Sequence, residues 1–76
     1  MENLVRTIAL ALVDNKDAVE VTSRQDKQKT IIEVKAAPDD LGKIIGKEGR
    51  IAKAIRTVVK AGAIKTGEKV VVDILQ

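Results

Sequence analysis

Leu41-Gly42-Lys43-Ile44-Ile45-Gly46-Lys47-Glu48-Gly49-Arg50-Ile51-Ala52-Lys53-Ala54-Ile55-Arg56 is the stretch whose reading decides the fold. Two glycines, Gly46 and Gly49, bracket a two-residue polar step. The apolar pair Ile44-Ile45 precedes the step and an amphipathic helical pattern follows it. A turn without Cβ atoms lets a ligand press against bare backbone. The helix that opens at Gly49 presents unpaired N–H groups and the positive end of its dipole, a setting that attracts phosphate. Lys47 and Arg50 stand beside it as mobile cations. The combination points to a clamp on a nucleic-acid backbone, built from Gly46, Lys47, Glu48, Gly49 and Arg50. Each glycine also has a plainer reading: Gly46 as the residue that ends a helix, Gly49 as a small residue in a tight hairpin. The flanking cations favour the clamp.

Ile-Ile-Gly-Lys-x-Gly-x-x-Ile resembles the signature of the KH domain, whose GxxG loop holds about four nucleotides of single-stranded nucleic acid. The resemblance is densest over residues 41–56, and the order of elements extends it over nearly the whole chain. The run Gly49-Arg-Ile-Ala-Lys-Ala-Ile-Arg-Thr-Val-Val-Lys60 is most similar to small stand-alone bacterial KH proteins. Glu48 departs from the expected chemistry, because an acid beside a phosphate is unfavourable unless it points outward. The resemblance implies a role in RNA metabolism, as an RNA chaperone or post-transcriptional regulator, with related KH proteins as partners.

Seventy-six residues are expected to form one KH domain spanning 1–76, with no room for two cores. There is no aromatic residue, so bases cannot stack on Phe, Tyr or Trp, and an RRM or aromatic OB-fold platform is a poor reading. There is no cysteine, hence no disulfide and no thiolate zinc site. There is no histidine, which removes the usual general base and the commonest metal ligand. The only serine, Ser23, therefore has no partner to activate it. Asp39-Asp40 fits a helix cap at least as well as a metal site. The reading is a protein that is not an enzyme and needs no metal or cofactor. The N-terminus lacks a signal-peptide pattern, and no apolar run reaches the roughly 18 residues that span a membrane. A cytoplasmic location without membrane partners is expected.

The net charge of +3 is unevenly spread. Residues 1–40 balance at −2 and residues 41–76 at +5, so the surplus lies on the half that carries the glycine loop. An anionic partner docking there is the natural inference.

Leu4, Val5, Ile8, Ala9 and Leu12 recur at helical spacing, predicting a helix over 2–14 that ends in the turn residues Asp14-Asn15-Lys16-Asp17. Alternation predicts strands over 18–24, with Val19 and Val21 inward, and over 29–36, with Ile32 and Val34 inward. The polar turn 25–28 joins them as an antiparallel hairpin. Pro38 ends the second strand, and Asp39 or Asp40 is placed to cap a short helix at about 40–45. A second helix is expected at about 49–62, broken by Lys65-Thr66-Gly67, and a Val-rich strand at 69–75. The order is α-β-β-α-α-β. The last strand should lie parallel to the second, making an α+β fold with three helices on one face of a three-stranded mixed sheet. The KH resemblance implies the same plan in its type II arrangement.

On a wheel at about 100° per residue, Ile51, Ile55, Val58, Val59 and Gly62 share one side, and Arg50, Lys53, Arg56 and Lys60 the other. Lys43 and Lys53 lie a turn from the loop and are candidates for neighbouring phosphates. Leu41, Ile44, Ile45 and Ile32 are candidates for the aliphatic floor of a groove. Arg24, Lys27 and Lys29 of the hairpin are placed to line a far wall, or to form an ordinary solvated turn. Ala54, Val58 and Ala61 widen the apolar face beyond the roughly 100° that packs one core. They mark a candidate interface for a homodimer or a heterodimer with another KH protein, or else a contact with the chain's own helices. The leading function is binding of single-stranded RNA. The alternatives are a single-stranded DNA binder and a protein-interaction adaptor whose basic face is incidental.

Overall fold

The computed structural model describes residues 1–75. Helix α1 (Glu2–Leu12) leads through a 3₁₀ turn (Lys16–Ala18) into strands β1 (Glu20–Asp26) and β2 (Lys29–Lys35). A second 3₁₀ turn (Pro38–Asp40) opens the short helix α2 (Leu41–Ile45). A third (Lys47–Gly49) joins it to the long helix α3 (Arg50–Thr66), and β3 (Val70–Ile74) follows. The sheet order is β1-β2-β3, antiparallel between β1 and β2 and parallel between β2 and β3. This is the α-β-β-α-α-β plan of a type II KH fold, an α+β architecture with three helices over a mixed three-stranded sheet.

The register explains the core. Val21 pairs with Val34 and Ile32 with Val72, so these side chains share the helix-facing side of the sheet. They meet Val5, Ala9 and Val13 from the first helix and the loop that follows it, Ile44 from α2, and Ala52, Ile55 and Val59 from α3. Ile32, Ile44, Val5, Val34 and Val59 are fully buried. Each such side chain contributes about 1.5–3 kcal/mol of apolar transfer. With no aromatic to fill space, alanines at 9 and 52 allow the helices to approach the sheet closely enough for Val and Ile to interdigitate.

Several boundaries differ from the sequence expectation. The first helix stops at Leu12 rather than 14, and Val13 leaves it in extended backbone with its side chain still in the core. The hairpin turn shrinks to Lys27-Gln28, because Asp26 pairs directly with Lys29 and Lys27 adopts φ +60°. Helix α3 runs to Thr66, one turn past the expected end. Lys65 and Thr66 are ordinary helical residues, and only Gly67, at φ +73°, supplies the left-handed stop. There Glu68 N–H donates to Ala63 and Gly67 N–H to Ile64. The inward stripe of α3 is Ala52-Ile55-Val59-Ala63, so Val58, expected among the inward residues, is 49% exposed.

Each edge strand has a backbone carbonyl engaged by an arginine. Arg6 Nη2 donates to Val21 O on β1 (2.9 Å), and Arg56 Nε donates to Val72 O on β3 (3.2 Å). Occupying edge carbonyls with charged side chains discourages pairing with another chain. Ser23 is also engaged structurally: its hydroxyl donates to Glu2 Oε2 at 2.8 Å, tying α1 to β1.

The junction of α2 and α3 is the tightest point of the chain. A Cβ at Gly46 would stand 2.6 Å from Ile51 Cγ1 and 2.9 Å from the Ile51 backbone nitrogen. Gly46 also sits at φ 77°, ψ 172°, a region open essentially to glycine alone. Gly49 is left-handed (φ 75°, ψ 15°), yet a Cβ there would meet nothing within 4 Å. The two glycines should therefore respond differently to alanine. Gly46→Ala is expected to lose about 2–5 kcal/mol, combining backbone strain with overpacking. Gly49→Ala is expected to lose about 1 kcal/mol, from backbone strain alone. Urea midpoints of the two variants at equal m-value check the difference.

Candidate nucleic-acid interface

The Gly46–Gly49 loop is a single 3₁₀ turn held by its own backbone. Gly46 N–H donates to Gly42 O (2.8 Å) and closes α2. Gly49 N–H donates to Gly46 O (3.1 Å), and Arg50 N–H donates to Lys47 O. The N–H groups of Lys47 and Glu48 have no backbone acceptor among the described residues. Glu48, a non-glycine residue, sits in the left-handed region (φ 57°, ψ 24°), a conformation that costs about 1–2 kcal/mol. The loop thus places a strained peptide and two exposed side chains, Lys47 and Glu48, ahead of the first turn of α3. Glu48 Oε2 lies 3.9 Å from Arg50 Nη2, and both side chains are largely exposed. So open an ion pair is weak and easily exchanged for another anion.

The candidate groove residues divide by burial. Ile32 and Ile44, expected to leave aliphatic surface in the floor, are each only 1% exposed and belong to the core. Leu41 and Ile45 are half-buried and pack against that core with atoms left at the surface. The reason is periodicity in a five-residue helix: only one position can point straight at the sheet, and Ile44 takes it. Lys53 is exposed and makes no ion pair among the described residues. Lys43 is committed elsewhere, for its Nζ donates to Asp14 Oδ2 and, at 3.3 Å, to Asp40 Oδ1.

Asp40 is the one buried charged residue among those described, at 3% exposure. Asp39 or Asp40 was expected to cap α2; Asp40 takes the cap position, but its side chain makes no such bond. The preceding 3₁₀ turn leaves Asp40 in helical backbone (φ −97°, ψ −12°), not the extended conformation of an effective cap. Its carboxylate turns instead to the loop after α1, accepting from Asn15 N–H (3.0 Å) and Asp14 N–H (3.3 Å). The Asn15 bond, helped by those of Asp14 and Lys43, holds the carboxyl below the usual aspartate range against the cost of desolvation. Lys43 is pushed above its ordinary value by Asp14 first and Asp40 second.

No three His, Cys, Asp or Glu side chains among the described residues gather as a metal site. Among the described residues, no helix is long and apolar enough to cross a membrane.

The KH-domain model described as KhpA/KhpB matches residues 2–74. The chain belongs to the KhpA/KhpB family of KH domains. It is similar to a protein named RNA-binding protein KhpA from Caldanaerobacter subterraneus subsp. tengcongensis, with 60% identity over 99% of this chain and all of the relative. A protein of the same name from Clostridium acetobutylicum is 55% identical over the same shares. Another, from Aquifex aeolicus, is 45% identical over all of this chain and 96% of the relative. No solved structure matches the chain significantly.

Within this KhpA/KhpB domain the loop residues Gly46 to Arg50 come together as one surface, with Lys53 one turn further along α3 and Leu41 and Ile45 on the neighbouring helix. Asp40 is the site-supporting residue that sequence reading assigned to the wrong partner. Its burial depends on a loop 25 residues earlier in the chain, and no local pattern reports that contact. A carboxyl with a depressed folded pKa stabilises the fold above the unfolded value, near 3.9, and that stability is lost as pH falls through the folded pKa. Wild-type protein is therefore expected to lose stability progressively below about pH 4. Asp40→Asn should be less stable at pH 7 and should show a flatter acid limb, as read by urea unfolding at a series of pH values.

Proposed function

We propose that this protein binds single-stranded RNA through a phosphate clamp at the Gly46–Gly49 loop. The observation that carries the reading is the loop itself. Two glycines with positive φ and a strained Glu48 expose the Lys47 and Glu48 peptides at the start of a 17-residue helix. A phosphate there meets backbone N–H groups, the positive end of the α3 dipole, and the Lys47 and Arg50 side chains. Lys53 supplies a neighbouring contact. Bases rest on the exposed parts of Leu41 and Ile45. RNA is favoured over DNA because the relatives carry the name RNA-binding protein. With about four nucleotides held and no aromatic stacking, the affinity of one copy is of micromolar order. Weak, sequence-tolerant contacts of this kind suit an RNA chaperone or post-transcriptional regulator. Converting Lys47 and Glu48 both to Asp places two negative charges where the phosphate sits. RNA binding should fall at least about tenfold, 1.4 kcal/mol, with an unchanged circular dichroism spectrum. A folded variant that binds RNA as well as wild type eliminates the clamp, and unchanged binding of a protein partner instead favours an adaptor. Matched DNA and RNA oligomers separate the two nucleic acids.

Two copies linked together convert the second RNA contact into an intramolecular one and raise affinity without new chemistry. We propose that the Ala54-Val58-Ala61 edge of α3 mediates such pairing, with itself or with a related KH protein. All three residues are exposed, and Ala54 and Val58 border an apolar groove with Ile8 and Leu12 of α1. The edge is therefore not covered by its own chain. In sedimentation at high micromolar concentration, wild type should run as a dimer and Val58→Glu as a folded monomer. A monomeric wild type rejects the pairing.

A further inference from the structure

Helix α3 carries a seam that its own chain leaves exposed. Arg50, Ala54, Val58, Ala61 and Lys65 follow one another at steps of four, four, three and four residues. They fall within about 80° on the helical wheel, away from the inward stripe Ala52-Ile55-Val59-Ala63. All five are exposed. The seam is therefore small and apolar in its middle, with a cation at each end. Arg50 serves two surfaces. It follows Gly49 in the loop, with Nη2 3.9 Å from Glu48 Oε2, and it lines the apolar groove with Ile8, Leu12, Ala54 and Val58. Lys65 lies about 22 Å from Arg50 along the helix, too far to reach the loop of its own chain. It makes no ion pair among the described residues.

A second copy of this chain fits such a seam. Val58 projects between two alanines, so two α3 helices that cross at Val58 pack each valine against the other copy's alanines and close a two-fold contact. When the helices run antiparallel their dipoles attract, and each Ala54 faces the partner's Ala61. The same register brings Arg50 to the partner's Lys65, since each lies four residues outside its alanine. Two cations, one from each copy, then meet beside each glycine loop. Unbridged, they repel and oppose pairing; a phosphate between them turns repulsion into attraction. Glu48 is the acid at that point and holds Arg50 only loosely. The approaching helix end carries Lys65 and Lys69 against Glu68, so it brings net positive charge. We propose that Lys65 completes the phosphate clamp of a second copy, so that each RNA site of the dimer is built from both chains and RNA binding tightens the pairing. The inference rests on the clamp and on the α3 pairing proposed above, and the test separates all three.

Full-length protein is titrated with tetrauridylate RNA over a range of salt. Four nucleotides fill one clamp, so avidity across two clamps plays no part. At protein concentrations where sedimentation shows the wild-type dimer, Lys65→Gln should weaken tetrauridylate binding about threefold. It should also flatten the slope of log K against log salt by about 0.7, the share of one phosphate on a single strand. In the Val58→Glu monomer the same substitution should leave affinity and slope unchanged, because the loop of its own chain lies beyond the screening length. Ala61→Glu supplies the monomer if Val58→Glu does not fold. By linkage, saturating tetrauridylate should tighten the wild-type dimer and leave the Lys65→Gln dimer unchanged. An equal effect of Lys65→Gln in monomer and dimer is a general charge effect and overturns the proposal. So does a wild-type dimer that binds tetrauridylate yet is indifferent to Lys65→Gln, or whose pairing tetrauridylate does not tighten. A wild type that binds tetrauridylate but sediments as a monomer with and without it keeps the clamp and removes both the pairing and the shared site. A wild-type dimer that binds no tetrauridylate keeps the pairing and removes the clamp with the shared site.

Discussion

The close approach of Ile51 to the backbone of Gly46 is the constraint on which the rest of the arrangement depends. α2 is only five residues long and cannot hold its orientation by its own hydrogen bonds. It is fixed because Ile44 is buried in the core and because α3 begins directly against the end of α2, where no Cβ fits. The chain must then reverse within the Lys47–Gly49 turn, and this forces Glu48 and Gly49 into left-handed backbone. The exposed peptides of the loop are a by-product of that reversal. The same packing that stabilises the fold thereby creates the surface on which the proposed phosphate contact rests.

The cations divide into two groups with different work. Arg6, Lys16 and Lys43 are spent on the fold. Lys16 Nζ donates to the Leu10 and Val13 carbonyls at the end of α1, and Lys43 bridges Asp14 and Asp40. Lys47, Lys53, Lys60 and Lys69 make no ion pair among the described residues. Arg56 belongs to both groups, with Nε on the edge of β3 and no ion pair among the described residues. Formal charge counts treat all of these alike. The surface available to an anion is set by which ammonium and guanidinium groups the fold has not already neutralised.

A core of Val, Ile and Ala in a chain this short leaves little margin. The structure compensates by tethering elements with polar contacts, part-buried at Asp40 and exposed at Ser23, rather than with volume. Asp40 joins the start of α2 to the loop after α1, and Glu2 joins α1 to Ser23 of β1. These contacts set where the helices sit on the sheet, and so the shape of the grooves between them. An apolar groove between α1 and α3 is one uncovered consequence of that packing.

The α-β-β-α-α-β order, the parallel last strand, the glycine step and the basic half of the chain are all legible in the sequence, because each is written in local periodicity or in residue types of restricted backbone freedom. Gly46, Gly49 and Gly67 punctuate the chain where only glycine is comfortable. Burial of individual side chains is decided elsewhere. Ile44 and Ile45 are identical in type and adjacent in sequence, yet the first is core and the second half-exposed, since the angle at which α2 meets the sheet selects between them. Val58 and Val59 divide in the same way on α3. Lys43 and Asp40 read locally as a phosphate ligand and a helix cap, and both instead serve the loop after α1. Local pattern determines which elements form and which residues are competent to act. Contacts between elements far apart in the chain decide which of those residues are used up by folding and which remain at the surface to meet a partner.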